Sequence, residues 1–219
     1  MPLSQSNTSG VTGNLLTEVP PASDTHIQSS TLEPKRPLVA LISFGKDSTK
    51  RITRALTRLN VDYRIILPHE VPLFQPTHII LTGGPKHVYE PDHYPMPQWI
   101  LNCQTPVLGV CYGMQLIAHT FKGTVVKMDI AEQGPVEVTE MINGQQVTNI
   151  RWMNRFDQVV SVPPNFTITG VTNRNHIASF TDYKKWWAIQ YHPEASKHGD
   201  LNIFRRFFRF DKGDRCGIL

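Results

Sequence analysis

The chain has 219 residues, 40% hydrophobic and 18% charged, with a formal net charge of +4 and an isoelectric point near 9.0. This suits one soluble domain with a substantial core, and no apolar run approaches the roughly 20 residues that cross a bilayer as a helix. Three cysteines argue against a disulfide framework and for a reducing compartment, and the conspicuous basic residues (Lys50, Arg51, Arg54, Arg58, then Arg205, Arg206, Arg209) fall on two predicted helices with no nucleic-acid motif beside them.

Residues 1–36 are rich in Ser, Thr and Pro, and their apolar residues keep no period, so a disordered tail is expected there. The stretch lacks a signal-peptide apolar region, and Glu18, Asp24 and Glu33 with few arginines disfavour a transit peptide. Residues 38–44 form an apolar run suited to a strand buried on both faces. Asp47 or Ser48 then caps a helix with Ile52, Ala55, Leu56 and Leu59 at helical spacing. Strands are expected at 63–67 and 78–81, a short helix at 96–102 and a strand at 106–110. Met114, Ile117, Ala118 and Phe121 give the next segment one apolar helical face. The second half changes character, with strands expected at 123–128, 136–140, 145–152, 167–172, 177–181 and 185–191. Ile203, Phe204, Phe207 and Phe208 stripe a closing helix. These elements predict an α/β domain over residues 37–210, with a mostly parallel central sheet flanked by helices and additional antiparallel strands in the second half. Residues 211–219 read as a flexible tail.

Ligands of open α/β sheets bind beyond the carboxyl ends of the strands, which draws attention to three places. In Leu108-Gly109-Val110-Cys111-Tyr112-Gly113-Met114-Gln115 a strand breaks at a thiol and turns at once into a helix. That is the pattern of a nucleophile elbow, which sets the sulfur at a helix N-terminus where free N–H groups stabilise negative charge. Gly83-Gly84-Pro85 follows another strand, and its backbone N–H groups, with the amide of Tyr112, could form an oxyanion hole. His192-Pro193-Glu194 follows a third, offering a base and a carboxylate to orient it. Cys103 reads as a small core residue, and the other histidines show no metal-ligand spacing, so no metal is expected.

Those three motifs, Gly109 to Gln115, Leu81 to Pro85 and Gln190 to Glu194, resemble the class I (triad) glutamine amidotransferases in order and spacing. Tyr112, Glu132-Gln133-Gly134 and Trp152-Met153 with Asp157 are similar to the GMP synthetase branch. The resemblance implies the flavodoxin-like fold of that family and a thioester mechanism on Cys111, with His192 and Glu194 completing the triad. It further implies Gly84 and Tyr112 as oxyanion donors and Gln115 as a contact to glutamine. Ammonia would pass to a separate ATP-dependent synthetase that aminates xanthosine monophosphate; ATP and Mg would bind that partner, and no cofactor is expected in this chain. A cytoplasmic protein follows. The same fold also admits a γ-glutamyl hydrolase or a non-catalytic glutamine-binding subunit.

Two segments depart from the branch. Asn154-Arg155-Phe156-Asp157 stands where Ser-His-Gly-Asp is usual, and Phe156 would be strained if the backbone there required positive φ. Phe44-Gly45-Lys46-Asp47-Ser48 replaces the usual Phe-Gly-Ser-Gln-Tyr. At the far end, Cys216-Gly217-Ile218-Leu219 after several basic residues fits a prenylation box imperfectly. A membrane contact would depend on lipidation of Cys216.

Overall fold

Every interior strand of the first half is apolar on both faces because helices cover both sides of the sheet that it joins. The computed structural model describes residues 36–209; the expected tail up to residue 35 and the carboxyl-terminal tail, with Cys216, lie outside the described residues. The first half runs β1 (Leu38–Ile42), α1 (Lys46–Arg58), β2 (Asp62–Ile66), β3 (His78–Leu81), α2 (Gln98–Asn102), β4 (Val107–Val110) and α3 (Tyr112–Thr120). The second runs β5 (Thr124–Ile142), β6 (Gln145–Ser161), β7 (Thr167–Thr172), β8 (Ile177–Thr181), β9 (Trp186–Ile189) and α4 (Asn202–Arg209). The strands form one sheet in the order β2-β1-β3-β4-β9-β8-β7-β5-β6. From β2 to β9 all pairings are parallel, and from β9 to β6 all are antiparallel.

Alternation along β1 shows how the core divides. Val39 and Leu41 face a layer with Ile52 and Leu56 of α1 and Phe204 and Phe207 of α4, while Ala40 and Ile42 face one with Ile100 of α2 and Met114 and Ile117 of α3. The phenylalanine stripe of α4 also meets the buried His78 ring, edge-on to Phe207 and Phe208 at 5.1 and 5.2 Å between centroids. The parallel α/β sheet with added antiparallel strands is therefore the expected fold, and the element positions agree closely through the first half.

Four local expectations change. Helix α1 is capped at Gly45, with no side-chain cap bond, and Asp47 and Ser48 lie in its first turn. Ser48 is occupied elsewhere: its Oγ accepts a hydrogen bond from the Gly83 N–H at 3.0 Å. Helix α3 is buried at every position from Tyr112 to Ala118 rather than on one face, because it touches β5 and β6 as well as β3, β4 and β9. Strands expected at 123–128 and 136–140 are one long β5. Its ladder with β6 pairs Lys127 with Asp157 and Glu132 with Arg155, so residues 128–131 bulge opposite Phe156 alone. Strand β6 likewise continues past 152 to Ser161, its polar Asn154-Arg155-Phe156-Asp157 stretch included.

Candidate active site

The turn between β4 and α3 is built by close backbone approach. A Cβ on Gly109 would lie 2.6 Å from the Gly113 carbonyl carbon and oxygen, and one on Gly113 would strike the Leu81 carbonyl oxygen. Glycines at both places let the strand turn into the helix within two residues, leaving Cys111 at φ 53° and ψ −106°. Positive φ is strained for a residue with a Cβ, costing on the order of 1–3 kcal/mol, and the surrounding structure must hold it. The Cys111 N–H donates to the Ile189 carbonyl at 2.8 Å, and its own carbonyl accepts from Gln115 N–H at 3.1 Å. The sulfur is almost wholly buried and its thiol donates to the Asn154 carbonyl at 3.6 Å.

His192 follows β9, the parallel neighbour of β4, so the sheet itself sets histidine and cysteine side by side. Its backbone N–H donates to the Trp152 carbonyl at 2.9 Å. Its Nδ1–H donates to Glu194 Oε1 at 2.8 Å, and both side chains are buried. The other ring nitrogen, Nε2, is buried with no hydrogen-bond partner among the described residues. Burial is the largest influence on the ring and pushes its pKa down. The charges of Cys111 and then Glu194 outweigh it and raise His192 from its ordinary 6.5 to about 10. The ring therefore keeps its proton to higher pH than a free imidazole does.

A cavity of about 370 Å³ opens onto these groups. Cys111, His192, Gly84, Gln115 and the departing residues Asn154 to Asp157 all line it, as do Gly45 to Ser48 from the other atypical segment. Gly83 and Gly84 are glycines for want of space. A Cβ on Gly84 would sit 2.9 Å from Phe44 Cβ, and one on Gly83 3.0 Å from Ser48 Oγ. Gly83 spends its N–H on Ser48, whereas no bond from the Gly84 N–H is found among the described residues. Tyr112 opens α3, where a helical N–H has no intrahelical acceptor. Its side chain points elsewhere, against Phe44 and Tyr94, with its phenol pushed up to about 12, chiefly by burial. Gln115 is buried at the cavity wall, its amide donating to Gln190 Oε1 at 3.3 Å and to the Asp157 carbonyl at 3.5 Å.

The antiparallel strands give Trp152, Asn154, Arg155 and Asp157 roles that the sequence does not announce. The carbonyls of Trp152 and Asn154 receive the His192 N–H and the Cys111 thiol; main-chain acceptors carry no residue-type signal. Arg155, with no solvent exposure, donates through Nε and Nη2 to Glu132 Oε2 at 2.9 and 2.7 Å, and Nη2 lies 3.0 Å from His176 Nδ1. Asp157 is held by His87 at 2.7 Å and by the Tyr89 hydroxyl at 2.9 Å. Phe156 is not among the residues with positive φ; it lies in regular β6 and is 61% exposed. The anticipated strain there is absent, because the bulge is taken up by β5. Among the described residues no cluster of three possible metal ligands occurs, and no helix is long and apolar enough to cross a membrane.

Sheet order, the strained cysteine turn and the histidine beside it define a class of α/β proteins that carry a thiol at the carboxyl edge of a parallel sheet. A family model described as glutamine amidotransferase class-I matches residues 40–210, and the chain belongs to that family. It is 36% identical over 169 residues to the GMP synthase [glutamine-hydrolyzing] of Brachyspira hyodysenteriae, covering 72% of this chain and 32% of that protein. With the Campylobacter jejuni enzyme of the same name, identity is 33% over 189 residues, covering 80% and 37%. The chain thus spans about a third of the length of these curated relatives. Among solved structures, a GMP synthase subunit protein from Thermoplasma acidophilum superposes with a TM-score of 0.72 at 25% identity, covering 84% of this chain and 98% of that one. A Thermotoga maritima glutamine amidotransferase shares the fold at a TM-score of 0.60 and 19% identity, covering 82% and 84%.

Proposed function

We propose that this chain hydrolyses glutamine to glutamate and ammonia through a thioester on Cys111, and delivers the ammonia to a separate ATP-dependent synthetase that converts xanthosine monophosphate to GMP. The observation that carries the reading is the juxtaposition of a strained, buried Cys111 with a His192 held at 2.8 Å by Glu194. The Cys111 sulfur adds to the side-chain amide carbon of glutamine, and the resulting oxyanion accepts hydrogen bonds from the Gly84 and Tyr112 amides. The His192 imidazolium gives its proton to the departing nitrogen as the C–N bond breaks, leaving a glutamyl thioester and ammonia. Neutral His192, kept in one tautomer by Glu194, then takes a proton from water as the water oxygen attacks the thioester. The C–S bond breaks, glutamate leaves and the thiolate–imidazolium pair returns. Gln115 borders the space in which the substrate lies.

A separate partner is supported by the Thermoplasma chain, nearly all of which this chain covers. On this reading the chain needs no cofactor, the partner holds ATP and Mg, and the protein works in the cytoplasm. The test is ammonia release from glutamine by the chain with its co-purified synthetase, supplied with xanthosine monophosphate and ATP. Wild-type protein should form GMP from glutamine, and Cys111→Ala should form it only from added ammonium. GMP formation from glutamine by Cys111→Ala would overturn the thioester mechanism. Preference for γ-glutamyl peptides over glutamine would replace the synthetase-linked reading with hydrolysis.

A further inference from the structure

Behind the catalytic loop lies a second concavity, which neither Cys111 nor His192 lines. It is a groove of about 780 Å³ between α1 and the segment after β9, bordered by Pro193, Glu194 and Ala195 on one side. Arg51, Arg54 and Arg58 project from α1 into its lining at spacings of three and four residues, which places them along one helix face. Lys197 adds a fourth cation from the far wall. None of these four forms an ion pair among the described residues. The lining holds a single carboxylate, that of Glu194, already bonded to His192. Half-buried Trp152 and Tyr63 supply aromatic surface in the same groove.

A row of arginines left without carboxylate partners is the arrangement that reads phosphate oxygens, since guanidinium groups bind them in pairs of hydrogen bonds. Indole and phenol rings beside such a row offer a stacking surface for a planar heterocycle. We infer that the groove binds a nucleoside phosphate, its phosphates on Arg54, Arg58 and Arg51 and its base against Trp152. The position is specific. Arg51 also lines the Cys111 cavity, and the carbonyl of Trp152 holds the His192 N–H, so the ligand rests directly behind the catalytic pair. ADP and GDP should bind alike, since both carry the phosphates and the planar base on which the inference rests.

The inference is tested by calorimetric titration of the whole chain with ADP, GDP, adenosine, inorganic pyrophosphate and a glutamate-rich peptide at near-physiological salt. This readout does not depend on glutaminase activity. ADP and GDP should bind about tenfold or more tightly than pyrophosphate, the difference being the base stack. The double variant Arg54→Glu, Arg58→Glu lies on exposed positions and should keep its thermal unfolding temperature while losing about tenfold or more in ADP affinity. Trp152→Ala should weaken ADP and leave pyrophosphate unchanged. Binding of ADP no tighter than pyrophosphate, or unaltered by the double charge reversal, overturns the inference. So does equal binding of the acidic peptide, which would make the groove a docking site for a protein segment.

Discussion

The two halves of the sheet solve the same problem, holding reactive groups in place, by different physics. From β2 to β9 the strands are parallel, those inside the exposed edge strand β2 are dry, and they deliver Cys111 and His192 by backbone register: Val110 pairs with Ile189 in adjacent strands, so the residues that follow arrive together. From β8 to β6 the strands are antiparallel, and the outer two, β5 and β6, carry buried charge. Arg155 is tied to Glu132, and Arg151 to both Glu140 and Asp200, while Glu140 accepts the hydroxyl of Tyr191 immediately before His192. The first half positions chemistry through apolar burial, and the second clamps it through ion pairs and two carbonyls of β6. Hydrophobic packing tolerates small shifts, whereas a paired charge in a dry site has one acceptable geometry.

The sharpest way to break this division is at Glu194, where the parallel half depends on a charge of its own. Glu194→Gln keeps the shape but loses the negative partner of Nδ1–H, and glutamine-dependent ammonia release should fall by roughly 10²- to 10⁴-fold. Steady-state kinetics should show the loss in kcat with little change in KM. A change confined to KM would mean that Glu194 serves substrate binding instead.

The next effect separates the two halves directly. Phe204→Ala in the parallel half and Arg155→Ala in the antiparallel half should each cost about 3–5 kcal/mol in denaturant unfolding, the first by leaving a cavity and the second by stranding Glu132 with only Arg174 at 3.8 Å. The distinction lies in rescue. Replacing Glu132 and Arg155 together by leucine should recover most of the loss, because neither charge is then buried alone. A double variant as unstable as Arg155→Ala would show that the clamp works by shape and not by charge.

A titration is expected to sort the two influences on His192. Its folded pKa, about 10, exceeds the unfolded value near 6.5, so its protonation stabilises the fold fully below about pH 6.5, and that contribution fades as pH rises through about 10. Catalysis that starts from the imidazolium should decline over the same upper limit. In Cys111→Ala the largest raising influence is removed while burial still pushes down, so imidazole NMR should report a pKa below that of the wild type. An unchanged value would assign the shift to Glu194 alone.

The same contrast explains which parts of the molecule are legible in the amino-acid sequence. The parallel half is legible because apolar strand runs bounded by Gly-rich turns have few alternatives, and residues at strand ends must converge at one sheet edge. Cys111, His192, Glu194 and Gly84 therefore stand out by position. In the antiparallel half, Arg155 and Asp157 draw notice only through their place in the family pattern, since nothing local announces that Glu132, 23 residues earlier, or His87, 70 residues earlier, will pair with them. The misplaced helix cap has the same origin: Ser48 reads as free to serve its own helix, and its partner Gly83 lies 35 residues away.

Phe156 gives the smallest and most pointed test. Its replacement of a glycine is costly only if the backbone there takes positive φ. In the structure β6 stays regular and four residues of β5 bulge across from it, so the irregularity lies in the partner strand. Phe156→Gly should then relieve nothing. It should cost about 0.5–1 kcal/mol in unfolding free energy, the entropic penalty of glycine within a strand, and leave kcat unaltered because the Asn154 carbonyl and the Asp157 side chain stay anchored by their own partners. A gain in stability on substitution would mean that the β5 bulge is itself forced by the bulk of Phe156, and that the antiparallel half bends to accommodate a side chain at the mouth of the cavity.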